Sequence, residues 1–312
     1  MCLVVVKSRL MYQTVHPRSG VDQAEYGREI VNLVLRHLDA GRSRRSAALL
    51  AVAVGCAVVL AVIGWDRLGS PAGAARRVTG SRYVLMQLNL CLSGLADCYD
   101  KAAYPAGVQE AVARIRDARP DAVTLNEACE GDADRIARQT GYHVRFSQVE
   151  NFGSPLLCIR PTGRGAFGDA VLTKAAIDGS ADRPFHAESL IEQRRWLCVS
   201  TARDVDVCTA HLSVRRSDAG DTTNDAQCGE LTALLVRKAA TRTVIFGGDV
   251  NRLASCAPMG AWTRTDGSAD QDPGIQHVYG SRATLRTPST QVVPFAHSDH
   301  DALLVRARLT RR

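Results

Sequence analysis

Six short segments of this 312-residue chain gather acids, amides and imidazoles at the ends of apolar stretches. In chain order they are Gln87-Leu88-Asn89, Leu125-Asn126-Glu127, Gly168-Asp169-Ala170-Val171-Leu172-Thr173, Thr209-Ala210-His211-Leu212, Gly248-Asp249-Val250-Asn251 and Ser298-Asp299-His300. Carboxylate and amide oxygens suit a hard cation such as Mg²⁺ or Mn²⁺. Imidazole adds a group that titrates near neutral pH and can carry a proton. That combination suits hydrolysis of an anionic ester, in which a cation offsets the charge that repels the attacking water. No Cys-x-x-Cys pair accompanies the segments, so a thiolate-bound structural zinc is not indicated. Each segment alone is commonplace; the ordered set is what carries information.

The surrounding pattern supplies rigid positions for these side chains. Residues 83–90 read as a strand ending in Asn89, and 121–126 as a second strand that delivers Glu127. Further strands are expected at 169–173, 195–201, 205–210 and 302–309, and a short buried one at 243–246 that runs into Gly247-Gly248-Asp249. Helical periodicity covers 106–119, stopped by Pro120, and 224–239, with Leu231, Leu234 and Leu235 on one side. Runs of strands with a few helices between them predict an α/β domain with two sheets packed face to face. Strand ends can hold several acids around one point.

With these motifs in order, the stretch from about 83 to 309 resembles the endonuclease/exonuclease/phosphatase family of metal-dependent phosphoesterases, among them pancreatic-type deoxyribonucleases, abasic-site endonucleases, sphingomyelinases and inositol-polyphosphate phosphatases. The resemblance implies a four-layered α/β sandwich and an Mg²⁺ or Mn²⁺ cofactor. It implies that Glu127 is the principal metal ligand, with Asn89 beside it and Asp299 completing the site. Asp249 and Asn251 would orient the attacking water and the phosphate, His300 would act as general base, and His211 would donate to the phosphate. Asp169 would hold the His211 tautomer, and Arg195 would either add positive charge near the phosphate or lie solvated on its strand. One position departs from the family pattern. Gln276, in Ile275-Gln276-His277-Val278-Tyr279, stands where an Asp that pairs with the catalytic His is expected, and Asp270 or Asp272 could replace it. A neutral amide orients an imidazole but stabilises its protonated form less than a carboxylate does. His143, His186 and His297 have no motif around them and read as surface or structural residues.

Charge and hydropathy divide the chain. Residues 1–80 carry 11 Lys/Arg against 5 Asp/Glu, whereas 81–312 carry 28 against 27, so the net charge of +7 sits mainly in the N-terminal part. The near-neutral C-terminal part shows no broad basic face for tight duplex binding. Residues 47–65 form a 19-residue run without a charge. The reading is a cytoplasmic tail over 1–45, a transmembrane helix over 46–65, a linker over 66–80 and a catalytic domain over 81–312. An uncleaved anchor is favoured; cleavage near Ala74 would release a secreted form. Cys91, Cys98, Cys129, Cys158, Cys198, Cys208, Cys228 and Cys256 are an even and dense set, expected to form disulfides in an exported domain, with Cys91–Cys98 the first pair to test. The expected activity is thus a membrane-anchored, extracellular phosphodiesterase, first a nuclease. Phospholipid cleavage of the sphingomyelinase type is the runner-up, and a binding protein on a catalytically weakened scaffold the third reading. Nothing in the sequence points to an obligate protein partner.

Overall fold

The computed structural model describes residues 80–188, 192–215, 218–267 and 274–310, with 218–220 described by backbone alone. The expected tail, membrane helix and nearly all of the linker lie outside the described residues, as do Asp270 and Asp272. Among the described residues no helix is long and apolar enough to cross a membrane.

The elements in chain order are β1 (Ser81–Asn89), α1 (Tyr99–Ala102), α2 (Ala106–Ala118), β2 (Ala122–Cys129), α3 (Glu130–Thr140), β3 (His143–Gln148), β4 (Glu150–Asn151), β5 (Ser154–Pro155), β6 (Phe167–Thr173), β7 (Ile177–Pro184), β8 (Arg195–Thr201), β9 (Val205–Ala210), α4 (Asp218–Thr241), β10 (Thr243–Asp249), β11 (Ala261–Thr265), β12 (Gln276–Ser281), β13 (Leu285–Val293) and β14 (Ala302–Leu309). They form two six-stranded sheets, β13-β14-β1-β2-β6-β3 and β11-β12-β10-β9-β8-β7, plus the small β4-β5 ribbon.

Strand alternation builds the layers. On β1, Val84, Met86 and Leu88 face outward into a core shared with Val108, Val112 and Ile115 of α2 and Ile136 of α3. Tyr83 and Leu85 face the other way, into a second core with Leu197, Val199, Val207, Ile245 and Val278 of the opposite sheet. The far face of that sheet, with Cys208, Ala210 and Phe246, packs on Leu231, Leu234 and Leu235 of α4. The order of layers is helix, sheet, sheet, helix, in agreement with the four-layered expectation. Period-two alternation thus assigns each strand residue to a helix-facing or a sheet-facing core.

The same parity continues past the apolar positions. Beyond Tyr83 and Leu85 come Gln87 and Asn89; beyond Val205 and Val207 come Thr209 and His211; beyond Ile245 come Gly247 and Asp249. The seam between the sheets therefore turns from apolar to polar at one end. Parallel pairing of β1 with β2 and of β9 with β10 brings those ends to the same side. Gly247 is needed where the two sheets approach closely, because a Cβ there would lie 2.4 Å from Thr124 Oγ1.

Among the described residues four disulfides join Cys91 to Cys98, Cys129 to Cys158, Cys198 to Cys208 and Cys228 to Cys256. The pair expected first is among them.

Candidate active site

Glu127 should not face the site by simple alternation. Leu125 lies in the helix-facing core, so Glu127, two residues on, would follow it there. A bulge intervenes: on β6, Ala170 pairs with Leu125 but Gly168 pairs with Ala128, so β2 carries one extra residue. Glu127 occupies it at φ 52°. Such a left-handed conformation costs a non-glycine residue on the order of 1–3 kcal/mol and is kept where the surroundings fix it. Here it re-aims a carboxylate into the polar end of the seam.

Asn89 binds that carboxylate to a second one. Its Nδ2 donates to Glu127 Oε1 at 3.0 Å and to Asp249 Oδ2 at 3.1 Å, while its Oδ1 accepts the Cys91 backbone N–H at 3.2 Å. Asp249 is fixed from its other side, where Oδ1 accepts the Asn251 backbone N–H at 2.9 Å. Asn251 lies at φ 51° and gives its own amide to Leu212 O at 2.9 Å, so it braces Asp249. Two imidazoles flank Asp249 Oδ2, with His211 Nε2 at 3.7 Å and His300 Nε2 at 3.6 Å. Asp299 stands at the more open rim, its Oδ2 3.9 Å from His300 Nε2.

The tautomer of His211 follows from its neighbour. Arg194, itself buried, places Nη1 2.8 Å from His211 Nδ1. A guanidinium can only donate, so Nδ1 accepts and the ring proton sits on Nε2. Burial holds the His211 pKa well below the imidazole value, and the Arg194 cation and His300 push the same way. His211 is therefore a neutral ring that points its Nε2–H between Glu127, at 3.9 Å, and Asp249.

This corrects one expectation and decides another. Asp169 does not hold the His211 ring. Its Oδ1 accepts Asn126 Nδ2 at 2.8 Å, and its carboxylate also takes the His211 backbone N–H. Burial raises its pKa to about 7. Arg195 is not at the site either, because Asp182 Oδ2 holds its Nη2 at 2.8 Å, with Glu150 Oε1 3.9 Å from Nη1. The cation at the site is its neighbour Arg194, which also pairs with Glu192 at 2.6 Å. Arg194 precedes β8, where strand alternation no longer assigns a direction.

Behind the acids runs a closed polar layer. Asn126 Oδ1 accepts the Asp249 backbone N–H and Gln87 Nε2, both at 2.7 Å. Thr124 donates to Gln87 Oε1. Gln276, fully buried, gives its amide to Asp266 Oδ2 and to Asp301 O, both at 2.8 Å. Asp266 is a buried carboxylate that no motif marked; it follows β11 directly and sits opposite the position that was expected to be acidic. On this strand an amide stands at the expected acidic position, and the acid it donates to comes from just beyond the adjoining strand.

The donor set fits a hard divalent cation. Burial raises the pKa of Glu127 despite the Asn89 bond and the Arg194 charge, and Asp249 and Asp299 add repulsion. Mutually repelling buried oxygens, bound together by one amide NH₂, leave a net negative pocket that a cation would relieve. Glu127, Asn89 and Asp299 would hold it.

A family model described as Endonuclease/Exonuclease/phosphatase family matches residues 86–300. A search of curated protein sequences finds no match. Among solved structures, an endonuclease/exonuclease/phosphatase from Beutenbergia cavernae is 20% identical, with TM-score 0.54, covering 73% of this chain and 72% of its own. The human Nocturnin catalytic domain, solved with a sulfate anion, is 17% identical with TM-score 0.56, covering 73% of this chain and 94% of its own. Truncated Caenorhabditis elegans TDP2 is 16% identical with TM-score 0.51, covering 73% and 97%. These likenesses are of fold. The six motifs lie inside the matched span, and the chain belongs to the endonuclease/exonuclease/phosphatase family, whose members are phosphoester hydrolases that generally depend on a divalent metal.

Proposed function

We propose that this chain is an exported, membrane-anchored phosphodiesterase that uses Mg²⁺ or Mn²⁺ and takes nucleic acid as its substrate. The observation that carries the chemistry is Asp249 Oδ2 between the Nε2 atoms of His211 and His300, at 3.7 and 3.6 Å, beside Glu127. When bound at Glu127, Asn89 and Asp299, the ion supplies charge neutralisation at the phosphate and its leaving oxygen. The chain's own residues do the rest. His211, neutral and protonated at Nε2, donates to a phosphoryl oxygen. Asp249, braced by Asn251, orients the attacking water, and His300 takes its proton at Nε2. Arg194 keeps His211 in the donating tautomer.

The preference for nucleic acid follows the family, whose name places endonuclease and exonuclease activity first. The export reading draws support from four disulfides, which persist in oxidising compartments. The membrane reading rests on the uncharged run over 47–65. Purified protein with Mg²⁺ should cleave single-stranded or duplex DNA or RNA faster than sphingomyelin. Asp249→Asn should lower cleavage by roughly 10²–10⁴-fold. Turnover of sphingomyelin alone would replace the substrate reading, and an unaffected Asp249→Asn would remove the mechanism.

A further inference from the structure

One disulfide differs from the other three in its place. Cys129, Cys158, Cys198, Cys208, Cys228 and Cys256 are all buried, so both sulfurs of three bridges are enclosed. Cys98 is half-exposed, which leaves the Cys91–Cys98 bridge open to solvent on one side. It closes the shortest loop, seven residues apart in sequence, immediately after Asn89. It also lies against the site: the sulfurs of Cys91 and Cys98 and a carboxylate oxygen of Glu127 are all within 4.8 Å of one another. The two sulfurs are close because they are bonded; what the bond does not impose is the Glu127 oxygen, within 4.8 Å of both.

We propose that reduction of Cys91–Cys98 creates a second cation site, in which the two thiolates and Glu127 bind a thiophilic divalent ion such as Zn²⁺. In the oxidised chain the sulfurs are bonded to each other and offer no thiolate. A thiol or phosphine reductant breaks the S–S bond. With a phosphine, one water oxygen goes to phosphorus and the two water protons go to the two sulfurs. Binding of the ion then releases those two protons to solvent. Zinc takes sulfur at about 2.3 Å and carboxylate oxygen at about 2.0–2.2 Å, and three protein ligands leave a fourth position for water. The Cα atoms stand 6.0 Å apart, so both sulfurs can reach one ion after separating by roughly the width of two Zn–S bonds. Thiolates select zinc over Mg²⁺, whereas the all-oxygen set does not.

The consequence is competition for one carboxylate. Glu127 cannot serve the hard-ion site while it is bound beside two thiolates, so the reduced, zinc-loaded chain is inactive and the oxidised chain is not inhibited in this way. Cation binding stands on the geometry of the three residues. The loss of activity rests on the proposed role of Glu127, so the two are measured separately.

The test uses the full chain, treated with a water-soluble phosphine, and Co²⁺ as the spectroscopic probe. A thiolate-to-cobalt charge-transfer band should appear on reduction, be absent from the oxidised protein, and be displaced by Zn²⁺. Because loss of even an outer partner weakens metal sites by about 10–100-fold, Cys98→Ser should weaken cobalt binding at least that much. Mass mapping of alkylated thiols should find Cys91 and Cys98 modified first. The proposal is overturned if no band appears, if the band survives in the Cys91→Ser/Cys98→Ser double variant, or if reduction unfolds the domain by tryptophan fluorescence. A band without inhibition of Mg²⁺-supported cleavage would keep the site and contradict the assignment of Glu127 to catalysis.

Discussion

The middle of the seam between the sheets and its polar end are equally buried and are built from the same strands, yet they do opposite work. In the middle, Tyr83, Leu85, Val207, Ile245 and Val278 fill the space with apolar side chains. At the end, Gln87, Asn89, Asn126, Asp249 and Gln276 occupy the continuation of the same faces and are just as enclosed. Apolar burial stabilises by removing surface from water. Buried polar groups stabilise little in net terms and cost heavily when left unmatched. The polar end therefore carries chemistry at the expense of stability, and the bulge at Glu127 adds to that cost.

That contrast is sharpest in activity. Asp249→Ala or His211→Ala should lower kcat by roughly 10²–10⁴-fold, the range for lost acid–base groups, while the folded fraction stays high. Loss below that range at both positions would mean that the polar end is structural. Leu85→Ala, in the middle, should do the reverse. It should cost about 2–5 kcal/mol in denaturant unfolding and leave kcat per folded molecule unchanged.

Neighbouring arginines offer a narrower comparison. Arg194→Met removes the donor that fixes His211 and should reduce kcat by about 10–100-fold, the usual effect of removing a partner that orients a site residue. Arg195→Met breaks an exposed pair with Asp182, worth roughly 0–1 kcal/mol, and should leave kcat near wild type. Equal losses from both would undo the assignment.

Gln276→Asp would place a second carboxylate where the amide now donates to Asp266 Oδ2. An acid there matches the family pattern, but in this packing it repels Asp266 and strands the acceptor. The variant should be less stable by about 1–3 kcal/mol and no faster than wild type. A faster enzyme with unchanged unfolding would show that Gln276, not Asp266, occupies the acidic position in function.

The smallest effect expected is on the pH dependence of stability. Burial and Arg194 lower the His211 pKa in the fold, whereas an unfolded imidazole titrates near about 6.5. Below that value only the unfolded chain takes the proton. His211 thus contributes stability that is complete above about pH 6.5 and is lost as pH falls, by at most about 1.4 kcal/mol per unit. Unfolding midpoints of wild type and His211→Gln, compared at neutral and mildly acidic pH, should converge on acidification. A gap that widens would mean that the ring is charged in the fold.

The same physics explains what the sequence made legible. Central strands β1, β2, β6, β8, β9, β10 and β14 read correctly because burial on both faces leaves apolar runs; β12, equally central and buried, escaped because Gln276, His277 and Gly280 break its apolar run. The edge strands β3, β7, β11 and β13 were not legible either. β7 is exposed over most of its length, and β13 carries Pro288 and a register shift, so neither has a pattern to detect. α3 holds only Ala133, Ile136 and Ala137 among its buried apolar residues, too few for a clear period. At the site, motif order named Asn89, Glu127, His211, Asp249 and His300, and all five converge. Arg194 and Asp266 were missed for a common reason. Each sits just outside a strand, where direction depends on tertiary packing, and no local residue pattern distinguishes Arg194 from Arg195.

The most direct test of a metal-dependent centre at the polar end is cleavage of a nucleic-acid substrate by chelator-stripped enzyme, wild type beside Glu127→Gln. EDTA should abolish turnover, Mg²⁺ or Mn²⁺ should restore it in wild type, and neither should restore it in Glu127→Gln to more than about a hundredth of wild type. Full wild-type turnover in EDTA, or full rescue of Glu127→Gln by Mg²⁺, would contradict it.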